Sequence, residues 1–304
     1  MGMSGVYGAT DERESIRTIQ TAIDRGVTLL DTGDFYGMGH NELLVGRALQ
    51  GRRDRVRLSV KFGALRGPDN SWQGIDTRPV AVKNFVAYSL KRLGVDVIDI
   101  YRPARLDPAV PIEDTVGAIA ELIQAGYVRS IGLSEVGVDT LRRAQRVHPI
   151  VDLQIEYSIA SRAPEQKIFP LLHELGIGAT LYGVFSRGLL TGSKPGTTPG
   201  DFRMHLPRFA AAHREQNEAA VRALHEFGQE RGLTPGQLMV AWVLAKEPRF
   251  TPVIGAKTVV QLEDALGALG RPLSAPDLTA LDGIARIVGD RYSPEAMRQL
   301  DSER

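Results

Sequence analysis

From one end of the chain to the other, short β-branched or apolar runs alternate with longer amphipathic stretches, and this alternation is what most limits the possible folds. The strand candidates are Val27–Asp31, Val56–Lys61, Val95–Tyr101, Val128–Leu133, Val151–Ile155, Gly178–Leu181 and Phe250–Ile254. Helical periodicity marks residues 13–24, 41–49, 78–92, 113–125, 138–146, 165–174, 214–231 and 259–268, with one extra helix at 235–245. Such alternation predicts parallel strands joined by crossover helices. No shift of composition divides the chain, so residues 1–304 read as one domain. A Gly/Pro-rich stretch from Thr191 to Leu206 reads as a long functional loop, and Ser274 to Arg304 adds one or two helices outside the main body.

Parity within the strands separates a closed barrel from an open sheet. Leu58 and Val60 alternate with Ser59 and Lys61, Ile131 and Leu133 with Ser130, Gly132 and Ser134. Leu153 and Ile155 alternate with Gln154 and Glu156, Ala179 and Leu181 with Thr180 and Tyr182. Side chains alternate across a strand, so each strand has one apolar and one polar face. A sheet with helices on both faces would read as continuous apolar runs. The predicted fold is therefore α/β, a (β/α)₈ TIM barrel whose apolar face meets a ring of helices. Its polar face opens into a site at the C-terminal ends of the strands.

Composition then removes several function classes. A net charge of +1 gives no electrostatic reason for a nucleic-acid or membrane-surface partner. The chain has no cysteine, which excludes disulfides, thiolate nucleophiles and Cys-based metal sites. No HExxH zinc motif, P-loop or serine nucleophile elbow is present, and no metal site is expected. Without an apolar run of about 20 residues or a signal-peptide pattern, the expected location is the cytoplasm.

Asp31 ends one predicted strand, Lys61 ends the next, and Tyr36 lies in the loop between them. A free phenol has a pKa of about 10, too high to exchange protons readily at neutral pH. An adjacent ammonium favours the phenolate, and a carboxylate would hold that ammonium charged and in place. Each residue also has an ordinary reading: an aspartate capping a turn, a tyrosine packed in a Tyr-Gly turn, a strand-end lysine reaching water. Their joint placement favours chemistry.

At this point the chain resembles the aldo-keto reductases, NADPH-dependent barrel oxidoreductases. Leu30-Asp31-Thr32-Gly33-Asp34-Phe35-Tyr36-Gly37, then Asn41-Glu42 and Val45-Gly46-Arg47-Ala48-Leu49, is similar to that family's signature. The resemblance continues in order through Ser59–Gly63, Ile131–Ser134, Gln154–Ser158, Ser186–Gly192 and Val253–Lys257. It implies reduction of an aldehyde or ketone by NADPH, or the reverse oxidation, on a small-molecule substrate. Tyr36 would be the proton donor, Lys61 the residue lowering its pKa, and Asp31 the partner of Lys61. Ser134 and Gln154 would bond the nicotinamide carboxamide, and Tyr182 would stack on its ring. Backbone around Arg187 and Gly188 would hold the pyrophosphate. Gly255, Lys257 and Thr258, at a loop-to-helix junction suited to a phosphate, would take the 2′-phosphate, with Gln261 and Asp264 near the adenine.

Two departures from the family stand out. Its usual catalytic histidine falls on Ala104, which can donate nothing, and losing one such donor typically costs on the order of 10²–10³ in rate. Arg102, of the same parity, is expected to reach into the space Ala104 leaves, whereas Arg105 has the wrong parity unless the strand has ended. Pairing with an acidic residue is the structural alternative for Arg102. His40 is a weaker candidate, expected at the start of a helix. Trp72, Phe202, Met204 and His205 lie in loops that could line a substrate pocket. The second departure is the start, where only Gly2-Met3-Ser4 would correspond to a stub of the first strand, so the true N-terminus is expected upstream. A cofactor-sensing regulatory subunit of the same fold is the competing reading, and a cofactor-free isomerase or lyase is a third. Substrate identity and oligomeric state are not legible.

Overall fold

The computed structural model describes residues 2–5, 10–193 and 201–303. Strands form where the β-branched runs predict them: β1 Leu29–Gly33, β2 Arg57–Phe62, β5 Ile98–Pro103, β6 Val128–Ser134, β7 Ile150–Glu156, β8 Gly178–Tyr182 and β9 Thr251–Pro252. A further pair, β3 Ala64–Arg66 and β4 Trp72–Ile75, makes an antiparallel hairpin after β2. The helices are α1 Glu12–Asp24, α2 His40–Ala48, α3 Pro79–Leu93, α4 Ile112–Gln124, α5 Val138–Val147, α6 Pro164–Leu175, α7 Ala211–Gln229, α8 Pro235–Lys246, α9 Val259–Leu266, α10 Ala275–Ile284 and α11 Pro294–Gln299. Local chemistry sets their ends. The Asp11 carboxylate accepts from the Glu14 amide at the start of α1, and left-handed glycines, Gly94 and Gly176, close α3 and α6.

The main sheet is wholly parallel in the order β1-β2-β5-β6-β7-β8-β9. It curls, because interior side chains on strands that are not neighbours bond one another: Gln154 on β7 donates to Asp31 on β1 at 2.9 Å, and Arg102 on β5 donates to Thr180 on β8 at 3.3 Å. The outward residues Leu58, Val60, Phe62, Ile131, Leu133, Leu153, Ile155 and Leu181 are buried against the helices. Each such side chain contributes about 1.5–3 kcal/mol when withdrawn from water.

Among the described residues β1 and β9 form the two ends of the sheet, and helices bridge them on the outside. Glu14 of α1 accepts the amide of Val259, and Arg25 pairs with Glu263 of α9 at 2.6 Å. Gly2–Ser4, the expected stub of a first strand, is instead a 3-10 turn. Trp72, expected in a loop, lies on β4. Of the long loop, residues 194–200 lie outside the described residues, and Phe202–His205 forms a 3-10 turn. The tail carries α10 and α11 as expected. Among the described residues no helix is long and apolar enough to cross a membrane.

Candidate active site

Parallel register brings the polar strand ends together: Gly33 opposes Lys61, Lys61 opposes Arg102, and Ser134 opposes Gln154. Lys61 is buried and its ammonium is ion-paired with Asp31. Asp31 also accepts from the Ser59 hydroxyl at 2.7 Å and from the Gln154 amide at 2.9 Å. Burial alone would push the Asp31 carboxyl up, but Lys61 and Arg102 outweigh it and hold it below its ordinary value. Lys61 is drawn down by burial, against the pull of Asp31, with Arg102 and Arg105 adding to the depression.

The loop after β1 carries Tyr36, and hydrogen bonds fix that loop at both ends. Thr32 donates to the Asn41 side chain at 2.7 Å, and the Asn41 amide returns to the Tyr36 carbonyl at 3.1 Å. Tyr36 is buried, with its ring edge-on to Phe35, and the Lys61 ammonium stands 5.0 Å from the ring centroid. Asp31, Tyr36 and Lys61 thus converge as the strand parity implied.

Of the residues expected around a nicotinamide, Ser134 is the most informative. Its hydroxyl is buried and, among the described residues, has no hydrogen-bond partner, beside Gln154 on the adjacent strand. An orphaned buried hydroxyl costs about 1–3 kcal/mol, so a ligand carboxamide that satisfied it would bind better for doing so. The Gln154 amide is engaged by Asp31 and by Thr180 at 3.3 Å. Tyr182 ends β8, and its hydroxyl donates to Glu135 at 2.8 Å. Arg187 and Gly188 occupy a left-handed turn, φ 56° and 92°, in the segment that follows β8.

At the other end of the site Gly255 is exposed with open space where a side chain would stand, leaving room for close approach to its backbone. The half-buried Lys257 precedes α9, where the Thr258 hydroxyl accepts the Gln261 amide at 3.3 Å. Gln261 folds back to accept the Lys257 amide at 2.8 Å. Burial and the neighbouring Arg203 lower the pKa of Lys257, against Asp201. Arg203, paired with Asp201 and donating to Ser193 at 2.9 Å, is a second cation there that the sequence did not reveal. Its guanidinium also lies beside Gly188. An open glycine backbone, two cations and a left-handed turn fit a phosphorylated nicotinamide cofactor. The Asp264 carboxylate accepts the Thr234 hydroxyl at 2.8 Å at the start of α8.

The substrate side differs from expectation. Ala104 is buried, its amide bonded to the Phe62 carbonyl at 2.8 Å. Arg102 does not fill the space beside it. Its guanidinium is fully buried in the barrel interior, ion-paired with Asp152 and donating to Ser59 at 3.0 Å, Leu133 O at 3.3 Å and Thr180 at 3.3 Å. Burial raises the Asp152 carboxyl against the pull of Arg102. Parity told which face Arg102 takes but not its depth, and the attraction to Asp152 decides the depth. His40 begins α2 and faces Ser4 and Glu12. Trp72 is exposed on the hairpin, with the Arg66 guanidinium 5.3 Å from its ring.

Sequence reasoning also missed a buried charge cluster at the mouth. Glu135, directly after β6, accepts from Tyr182, from Arg291 at 2.6 Å and from Ser302 at 2.8 Å. Burial raises its carboxyl, but Arg291 and Arg105 more than offset that and bring its pKa to about 2. Glu156 meets Arg187 at 3.1 Å and Arg208 at 3.5 Å. The parity of Glu156 with Gln154 was the one available signal.

The aldo/keto reductase family profile matches residues 1–286. A probable aldo-keto reductase 1 of Glycine max is 38% identical over 302 residues, covering 96% of this chain and 86% of that one. Aldo-keto reductase str7 of Strobilurus tenacellus is 37% identical over 314 residues, covering 99% and 91%. The structure of glycerol dehydrogenase AKR11B4 from Gluconobacter oxydans superposes with a TM-score of 0.85 at 28% identity, over 96% of this chain and 91% of that one. The chain belongs to the aldo/keto reductase family, and with it to the oxidoreductases that interconvert carbonyls and alcohols with a nicotinamide cofactor.

Proposed function

We propose that Tyr36 delivers the proton to a small-molecule carbonyl, with NADPH as the preferred cofactor. Bound NADPH supplies the hydride. The observation that carries this reading is the buried Lys61 ammonium, tied to Asp31 and 5.0 Å from the Tyr36 ring. A cation held there favours the phenolate, so the phenol releases its proton more readily as negative charge builds on the carbonyl oxygen. Ser134 and Gln154 orient the nicotinamide, Tyr182 packs on it, and the Arg187–Gly188 turn holds the pyrophosphate. Lys257, with Arg203 close by, favours a 2′-phosphate, because two cations held together are stabilised by a dianion between them. A chain that only sensed cofactor would have no use for the Asp31–Lys61–Tyr36 arrangement, which favours catalysis over a regulatory role.

The test is NADPH oxidation with a panel of aromatic and aliphatic aldehydes, comparing the native chain with Tyr36→Phe. Loss of proton donation should lower kcat by about 10²–10⁴-fold, while NADPH binding, read by protein fluorescence, stays in place. Equal turnover by the two proteins would refute the role of Tyr36.

A further inference from the structure

The strand β5 ends at Pro103, so Arg105 is released from strand parity and its side chain stands at the barrel mouth. It is half-buried. Nη1 donates to the Ala104 carbonyl at 2.7 Å, and Nη2 reaches the Tyr292 hydroxyl at 3.4 Å. Both partners are neutral. Among the described residues Arg105 forms no ion pair, while four interior carboxylates have one: Asp31 with Lys61, Asp152 with Arg102, Glu135 with Arg291, and Glu156 with Arg187 and Arg208.

Its position relative to the proposed chemistry is also set. The amide of Ala104, one residue before it, is bonded to the carbonyl of Phe62, one residue after Lys61. Tyr292 lies against the Arg187 guanidinium, 4.8 Å from its ring, and the adjacent Arg291 reaches the Tyr182 hydroxyl at 3.4 Å. Arg105 therefore stands between the strand end that carries Lys61 and the one that carries Tyr182. Its charge acts on both, adding to the depression that burial imposes on Lys61 and opposing part of the rise that burial imposes on Tyr182.

A guanidinium has five N–H donors in a planar fork that matches a carboxylate. A half-buried cation whose hydrogen-bond partners are neutral, and whose charged neighbour Glu135 is already paired with Arg291, is stabilised by an anion that arrives with the ligand. We propose that Arg105 is the substrate-recognition residue and that it selects carbonyl compounds bearing a carboxylate. This rests on the reductase reading, since that reading makes the mouth between Lys61 and Tyr182 the substrate position.

The experiment compares each acid with its neutral methyl ester: 4-carboxybenzaldehyde for a distal carboxylate and phenylglyoxylate for one adjacent to the carbonyl. The native enzyme should favour at least one acid over its ester by about 10–100-fold in kcat/KM, the range of a charged hydrogen bond. The preference should lie mainly in KM. Arg105→Gln should bring the acid-to-ester ratio to near unity, and Arg105→Lys should retain part of it. Native enzyme that favours both esters overturns the proposal without any variant, and so does a ratio that Arg105→Gln leaves unchanged. Calorimetric titration of the acid and ester alcohol products into the protein with saturating NADPH, a pair with no hydride acceptor, reads the same preference without turnover. Acid-selective binding lost in Arg105→Gln, with no turnover of any aldehyde, would fail the reductase reading and keep the anion site. Equal binding of acids and esters overturns the site whatever the turnover.

Discussion

The ion pair of Arg102 and Asp152 offers a quantitative test of how the barrel interior is held. Arg102 is completely buried and Asp152 is 6% exposed, so removing one partner strands the other in a medium that solvates it poorly. Arg102→Met keeps the aliphatic bulk but removes an ion pair and three further hydrogen bonds to Ser59, Leu133 O and Thr180. Breaking a buried pair this way typically costs about 3–5 kcal/mol, which for a domain of this size lowers Tm by about 10 °C. The sign of the pH dependence follows from Asp152. Burial already raises its carboxyl, and loss of Arg102 raises it further. A carboxyl raised in the folded state binds more protons there than in the unfolded chain, so stability falls as pH rises through that window. The deficit of Arg102→Met should therefore be larger at pH 8 than at pH 5. Asp152→Asn alone should cost a similar amount by leaving the guanidinium unpaired. The double variant should lose less than the sum of the singles, because the stranded charge is gone. Urea unfolding followed by circular dichroism at both pH values gives all the required free energies. Strictly additive losses, or a deficit of Arg102→Met that does not vary with pH, would show that the interior is not organised around this pair.

Two further predictions follow from other close-packed positions. A Cβ at Gly132 would stand 2.9 Å from Ile100 Cγ2 and 3.1 Å from the Arg102 guanidinium carbon. Gly132→Ala should thus lower stability by about 1–3 kcal/mol, and by less once Arg102 is methionine; an unchanged Tm would contradict the contact. Asp34, buried next to Glu42, has its carboxyl pushed to about 7 by burial and by that carboxylate, against the Gly63 amide and the Arg92 charge. Its folded pKa exceeds its unfolded value of about 3.9. It therefore makes the protein less stable as pH rises from about 4 to about 7, by at most about 4 kcal/mol. Asp34→Asn should remove that slope, and a Tm difference from the native chain that stays flat between pH 5 and 8 would sink the assignment.

Much of the barrel is legible because it rests on local rules. Strand and helix periods place every element of the main sheet, and parity places Asp31, Lys61, Ser134 and Gln154 on one interior face. The β3–β4 hairpin was missed although Gly67-Pro68-Asp69-Asn70 spells a turn, because its strands are too short to show alternation. What could not be read are pairings set by distance along the chain. Asp152 shares the parity of Gln154, but its partner lies 50 residues away on a strand that is not its neighbour. Glu135 and Arg291 are 156 residues apart, and the arginine belongs to a tail whose charges resemble an ordinary solvated surface.

The segment Arg102-Pro103-Ala104-Arg105 shows how these limits meet at the substrate side. Alanine at the third position removes a neutral donor, and the two flanking arginines go to opposite places for separate reasons. Arg102 is still in the strand, so parity directs it inward, and Asp152 captures it in the barrel interior. Arg105 is past the strand, so parity no longer governs it, and the tail supplies Tyr292 to hold it at the mouth. A cation at the mouth in place of a neutral donor changes what a substrate gains on arrival. A histidine would assist any carbonyl, whereas a guanidinium contributes most to a substrate that brings negative charge. On the proposed role of Arg105, selectivity for an anionic substrate goes with a site that has alanine at position 104. Separating that selectivity from the effect of the alanine requires the acid-to-ester ratio rather than the rate alone, since a rate reports both.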